Sequence, residues 1–393
     1  MCSMWFKLYL LSLVFLTFAP SKDIMAISKD DIINALRHVD DPDLKKDLVT
    51  LNMIEEVVVD GDKVSFTVRL TTPACPLKEK IKNDCINAIH EYVSADIDPD
   101  ITMTASVTSH RNPNINVLPS VKNIICVASG KGGVGKSTVA VNLAIALAKQ
   151  GAKVGIIDAD IYGPSVPLML GIKGQRPTVR LIKDKHYIEP IEVHGIKVLS
   201  MGMLVDERQA IVWRGPMVTS ALRQFVTDTL WGRLDYMILD MPPGTGDVHL
   251  TMIQTVNVTG AVIVTTPQEV ALSDARKGLA MFRLETINVP VLGVVENMSY
   301  FTPAELPNNK YYIFGKDGGK KFAEEYELPL LGELHIVQSI REGGDDGNPI
   351  ALRDPDIDIS SRAFHDLATN VAQQIAIRNA KVGVTVEAEA VQE

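Results

Sequence analysis

Residues 130–137 read Gly-Lys-Gly-Gly-Val-Gly-Lys-Ser, a match to G-x-x-x-x-G-K-[ST]. Each residue type in this pattern does one part of holding a triphosphate. Gly130, Gly132, Gly133 and Gly135 let successive backbone N–H groups turn inward and approach phosphate oxygens, where side chains would clash. Lys136 brings a compact positive charge to the β- and γ-phosphates, and the Ser137 hydroxyl is offered to Mg²⁺. Lys131, Val134 and Thr138 complete the stretch read as nucleotide-binding. A helix starting near Ser137 points its positive end at the same anion.

Two further carboxylate positions belong with this loop. Asp240 ends the apolar run Tyr236–Leu239 and is followed by Met-Pro-Pro-Gly244-Thr-Gly246-Asp247. An Asp at the C-terminal end of a strand beside a phosphate loop is placed for Mg²⁺ through water. Gly244 is expected to present its amide to the γ-phosphate, and Asp247 to cap the next helix. Asp158-Ala159-Asp160 closes the strand after the loop's helix and so reaches the same sheet edge. Asp160 is the candidate for orienting an attacking water, with Asp158 supporting the switch; turn and cap duty is the alternative for both. The catalytic candidates from the loop and the strand ends are therefore Lys136 and Asp160.

The elements that must position these residues are legible as hydrophobic patterns. Apolar runs at 124–128, 153–157, 236–239, 261–264 and 291–295 alternate with helical stretches. Continuous runs of that length suit strands covered on both faces, which predicts an α/β, doubly wound, mostly parallel sheet. Residues 188–201, with Gly195, suggest an extra hairpin insertion. Ahead of this lies a small N-terminal α+β domain. It comprises a helix near 29–37, a hairpin of 54–59 and 64–70 around Asp60-Gly61-Asp62, a helix near 77–92 and a strand at 101–108. The expected boundaries are an upstream extension at 1–24, the α+β domain at 25–108, a linker at 109–122, the P-loop NTPase domain at 123–380 and a frayed tail at 381–393. The apolar run Leu8–Ala19 has the length of a signal-peptide core, but the chain reads naturally from Met25 into a helix start at Ser28-Lys29-Asp30-Asp31. It is therefore taken as an extension outside the fold rather than an export signal, consistent with a nucleotide-driven protein of the cytoplasm.

Composition narrows the classes further. With 393 residues the chain suits two or three domains, and 46% hydrophobic with 22% charged residues excludes bulk disorder. A net charge of −9 argues against binding nucleic acid through a basic surface. The acidic end of the chain, with Glu387, Glu389 and Glu393, disfavours a membrane-recruiting helix. Four cysteines make no disulfide framework. Cys126 lies inside an apolar strand and Cys85 on the helical stripe Ile81, Cys85, Ile89, so both are core residues. Cys2 lies in the upstream extension. Cys75 differs: it sits between Ala74 and Pro76 just before a helix, where the N-terminal dipole favours a thiolate.

With its second lysine, Lys131, the loop resembles the deviant Walker A of the MinD/ParA/nitrogenase-iron-protein class. That resemblance implies a nucleotide-sandwich homodimer in which Lys131 reaches the partner's phosphates, as an arginine finger does. The stretches Asp158–Ser165, Trp213–Met217, Asp240–Asp247, Thr266-Pro267-Gln268 and Glu296-Asn297-Met298-Ser299 resemble the Mrp/ApbC family of iron–sulfur cluster carrier ATPases. The N-terminal unit, with Thr71-Thr72-Pro73-Ala74-Cys75-Pro76, resembles the metal–sulfur cluster assembly domain often fused to them. The resemblance implies ATP and Mg²⁺ as cofactors, a 4Fe-4S cluster as cargo, and apo iron–sulfur proteins and cluster assembly factors as partners. By the same analogy Asn297 contacts adenine, a turn-stabilising role being the alternative. Many relatives carry C-x-x-C just after E-N-M-S; here no cysteine follows Cys126. Cys75 is the thiol left for a metal or sulfur role, together with a partner's thiolates. The rival functions are a MinD/ParA-like positioning switch and a nucleotide-dependent adaptor that carries no cluster.

Overall fold

A computed structural model describes residues 27–382, apart from 62, 110–116, 162, 204–214, 304 and 307–308. The upstream extension with Cys2, most of the expected linker, Trp213-Arg214 and the acidic tail lie outside the described residues.

The chain divides into two compact units; the first contains residues 27–41, 46–68 and 80–102. Its helix α1 (Lys29–Leu36) starts at a capping box, with the Ser28 hydroxyl accepting from the Asp31 N–H and the Asp31 carboxylate accepting from the Ser28 N–H. A short ladder joins β1 (Asp40–Asp41) to β2 (Lys46–Asp47). Strands β3 (Ile54–Asp60) and β4 (Lys63–Leu70) form the hairpin that the sequence pattern predicts, with Gly61 at φ +61° in the turn. β5 (Asp100–Ala105) completes the three-stranded sheet. Helix α2 (Lys78–Tyr92) buries Ile81, Cys85 and Ile89 on one stripe, as the helical spacing requires.

Residues 69–79, which carry Cys75, cluster with the second unit together with 42–45 and everything from 103 onward. The physical reason is local. Ala74 joins the large apolar core of the second unit, and the Thr72 hydroxyl lies 3.5 Å from that of Tyr236.

The second unit is built on eight strands. In chain order they are β6 (Val121–Ala128), β7 (Val154–Asp158), β10 (Ile191–Val193), β11 (Ile196–Ser200), β12 (Leu234–Asp240), β13 (Gly260–Thr265), β14 (Val291–Glu296) and β15 (Leu330–Glu333). The exposed hairpin of β8 (Thr178–Ile182) and β9 (Lys185–Glu189) stands apart as its own two-stranded sheet. The order across the large sheet is β10-β11-β7-β12-β6-β13-β14-β15. All neighbours are parallel except β10 with β11, which turn back on each other at Gly195.

Ten helices are placed in the described residues, eight of them in this unit: α3 (Lys136–Lys149), α4 (Val166–Met169), α5 (Gly215–Thr227), α6 (Asp247–Thr255), α7 (Glu269–Phe282), α8 (Gly318–Glu325), α9 (Gln338–Asp345) and α10 (Ile359–Val382). One apolar core gathers α3 and α10 on a face of the sheet; a second gathers α5, α6 and part of α7 with strand residues of the opposite pleat. α3 is buried almost all round, as its Ala/Leu/Val-rich sequence demands. β6 lies between β12 and β13; the chain leaves it for β7 on the β12 side and later crosses from β12 to β13 on the other, so the loop leaving its C-terminal end opens at a switch point of the sheet.

Candidate active site

The register of the ladder gathers the chemistry. Ser200 pairs with Asp158, Asp158 with Asp240, and Asp240 with Val127 of β6, so one sheet edge lines up these residues beside the loop that leaves Ala128. Gly133 and Gly135 take φ +84° and +81°, the left-handed region that glycine occupies freely. A Cβ at Gly135 would overlap the Asn297 side chain, and one at Gly130 the Asp274 carbonyl of α7, whereas the space over Gly133 is open. The loop is thus clamped on its flanks and clear above. α3 starts at Lys136 and leaves the N–H groups of its first turn without intrahelical partners.

Lys136 is buried, and its Nζ donates to Asp240 Oδ1 at 2.5 Å and to Ser137 Oγ at 3.0 Å. The other oxygen of Asp240, Oδ2, is buried with no hydrogen-bond partner among the described residues. Lys131, Gly132 and Gly133 are exposed, so the two loop lysines stand in opposite environments. Asn297, at the end of β14, donates from Nδ2 to the Val134 carbonyl at 2.8 Å. It braces the loop. The Thr138 carbonyl accepts from Asn142 Nδ2 at 2.8 Å. Asp160 is partly exposed and accepts from the Gly163 N–H at 3.1 Å.

Two expectations change. The Gly244 amide is not turned outward: it donates to the Ser129 carbonyl at 3.0 Å, which folds the segment after Asp240 back onto the start of the phosphate loop. Asp247 is the first residue of α6, with Gly246 in the cap position.

Asp158 proves more deeply set than a turn residue. It is fully buried, accepting from the Ser200 hydroxyl at 2.8 Å and the Asp160 N–H at 3.1 Å. Burial, then the neighbouring Asp240, push its carboxyl up to about 8. Burial also raises Asp240, against the lowering effect of Lys136. Two buried carboxyls share one cation, which pushes the pair toward holding a proton. Ser200 and His249 complete this surrounding, and neither stands out in the sequence; His249 is buried in the first turn of α6.

The raised Asp158 carries a stability consequence. Its carboxyl would titrate near 4 in the unfolded chain, so through the interval up to about 8 the folded protein holds a proton that the unfolded chain has released. That stabilisation is complete below about pH 4 and is lost as pH rises toward about 8. Between about pH 6 and pH 8.5 the wild-type melting temperature is expected to fall roughly 5 °C more than that of Asp158→Asn. Parallel melting profiles for the two proteins would assign the titration elsewhere.

A parallel sheet, a glycine loop leading into a buried helix, and a lysine on a strand-end aspartate define a P-loop NTPase. Residues 120–372 match the ParA family, described as NUBPL iron-transfer P-loop NTPases, and residues 29–95 match a family of iron–sulfur cluster assembly proteins. An iron–sulfur cluster carrier protein of Synechocystis is 48% identical over 89% of this chain and 99% of its own length. One from Escherichia coli is 44% identical over 88% of this chain and 91% of its own. Among solved structures, a nucleotide-binding protein from Archaeoglobus fulgidus in complex with ADP is 38% identical. It covers 59% of this chain and 88% of its own at a TM-score of 0.51. The chain belongs to the NUBPL-type iron-transfer P-loop NTPases and is an ATPase.

Proposed function

We propose that this protein is an ATP-hydrolysing carrier and scaffold for iron–sulfur clusters, working in the cytoplasm as a nucleotide-gated homodimer and delivering clusters to apoproteins. The observation that carries the gating is the contrast between the loop lysines: Lys136 is buried on Asp240, while Lys131 stands exposed at the loop surface. Lys136 serves the phosphates of its own protomer, and Lys131 those of the facing one.

The residues fit ATP and Mg²⁺. Loop amides and lysine suit the phosphates, and the partnerless Asp240 Oδ2 with the Ser137 hydroxyl suits a hard cation that takes oxygen ligands and keeps some water. When bound, Mg²⁺ would neutralise charge between the β- and γ-phosphates. Asp160, partly exposed on the turn after β7, orients the attacking water. Asn297 braces the loop at the Val134 carbonyl, its adenine contact rests on the family resemblance, and the loop itself reads phosphates rather than bases.

The cargo reading rests on the relatives' printed names and on the assembly-type segment 29–95. Among the described residues, no three His, Cys, Asp or Glu side chains gather into a metal site. Among the described cysteines, Cys85 and Cys126 are buried, and burial pushes both thiols up to about 12, which favours the partly exposed Cys75 as the cluster ligand. A cluster on Cys75 needs thiolates from a second protomer or an assembly factor. No helix among the described residues is long and apolar enough to cross a membrane.

The test is anaerobic reconstitution with iron and sulfide, followed by transfer to an apo-acceptor. Wild type should bind and transfer a cluster, and Cys75→Ser should lose at least about tenfold of that transfer. Equal behaviour of the two proteins would remove Cys75 from the carrier role. Absence of iron from the wild type would favour the adaptor reading.

A further inference from the structure

We propose that His249 is a positioning residue for ATP hydrolysis, its ring latching the segment Met241–Gly246 when that segment closes toward the phosphates. The proposal rests on the nucleotide reading of the cleft and adds a residue to it.

His249 is 1% exposed, and neither Nδ1 nor Nε2 has a hydrogen-bond partner among the described residues. A neutral imidazole carries one donor and one acceptor, and buried polar groups are nearly always paired. An unpaired ring therefore marks an arrangement that another conformation completes. The carbonyls of Pro242 and Gly246 lie close enough to the ring to raise its proton affinity, but neither meets it in good hydrogen-bond geometry, and Lys136 and Asp160 are within electrostatic reach. Burial lowers the ring's proton affinity, which keeps one nitrogen a donor and the other an acceptor.

Another of the buried atoms lacking a partner among the described residues is Asp240 Oδ2, at the other end of the same segment. Two incomplete groups thus bracket Met241–Gly246. The backbone bonds of this stretch run to β6, to the loop after it and to α6: the Met241 N–H donates to Val127, the Gly244 N–H to Ser129, and the Gly246 carbonyl accepts from the His249 N–H. Gly244, at φ +94° with open space where a Cβ would stand, is free to re-aim its amide. Turning that amide toward a phosphate moves the neighbouring carbonyls, and His249 is the group placed to catch one of them. α6 also packs on α5, whose buried described side chains, Leu222, Phe225 and Val226, are apolar and offer the ring no rival partner.

The full-length protein provides the test, as His249→Phe and His249→Gln. Three readouts are needed: Mg-ADP affinity, kcat and KM for ATP, and hydrogen exchange of the peptide spanning 241–249 with and without a non-hydrolysable ATP analogue. His249→Phe should bind Mg-ADP within about twofold of wild type and lose roughly ten- to a hundredfold in kcat. It should also lose the exchange protection that the analogue confers, and His249→Gln should recover most of both. Unchanged kcat and protection in His249→Phe overturn the latch while leaving the nucleotide site standing. A fall in melting temperature, ADP affinity and kcat together in both variants also overturns it, assigning the ring to packing alone. Failure of wild type to bind Mg-ADP would instead overturn the reading beneath.

Discussion

Lys136→Ala should lower kcat/KM for ATP by about a thousandfold or more, the largest single effect the site predicts. Lys136 is the cation in the buried cluster with Asp158 and Asp240, and it touches both Asp240 Oδ1 and the Ser137 hydroxyl. Removing it takes the positive charge from where phosphate charge develops. It also leaves Asp240 buried without its partner, a change that costs about 3 kcal/mol unless the carboxyl takes up a proton. Lys136→Met, which keeps much of the side-chain volume, separates the two consequences. It should remain folded by circular dichroism and still fail to hydrolyse ATP. Wild-type turnover in either variant would mean that the phosphates bind elsewhere.

Lys131→Ala should lower kcat by about a hundredfold or more while leaving Mg-ADP affinity within about twofold. Its side chain is exposed in the described protomer, so its loss removes no buried contact. Mixing decides whether it acts across subunits. A Lys131→Ala protomer keeps its own Lys136 and Asp240; an Asp240→Asn protomer keeps Lys131 but lacks a working site. Combined in equal amounts, two nearly inactive proteins should regain about a quarter of wild-type activity, since half the dimers are mixed and each has one complete site. No recovery would place Lys131 in the service of its own protomer.

Much of this arrangement was legible from residues close together in the chain. The phosphate loop announces itself because glycine spacing, lysine and serine lie within eight positions, and the apolar runs that became β6, β7, β12, β13 and β14 were long enough to read as buried strands. Elements decided by distant packing were harder. β11 looked like half of an inserted hairpin; it does turn back on β10, but it also pairs in parallel with β7. Only that second pairing sets Ser200 against Asp158. β15 has four residues with a glycine among them, too short for any period to show. The exposed hairpin β8–β9 carries Val179 and Leu181 on its surface, so no burial pattern marked it.

Candidate site residues divide the same way. Asp240 was readable because it ends an apolar run before Pro-Pro-Gly. His249 was not, since one histidine in a helix has no local signature and its meaning comes from the unpaired ring. Gly244 was read with its amide free, and the backbone of Ser129 took it, a contact between segments more than a hundred residues apart. No cysteine follows Cys126, so no C-x-x-C stands after Ser299 and the cluster question turns to Cys75.

The most direct measurement is a calorimetric titration of the full-length protein with a non-hydrolysable ATP analogue and Mg²⁺, paired with sedimentation of the same samples. One nucleotide bound per protomer, a shift to the dimer on binding, and loss of both in Lys136→Ala are the expected results. A protein that takes up no nucleotide, or that binds it equally well without Lys136, would contradict the account at its root.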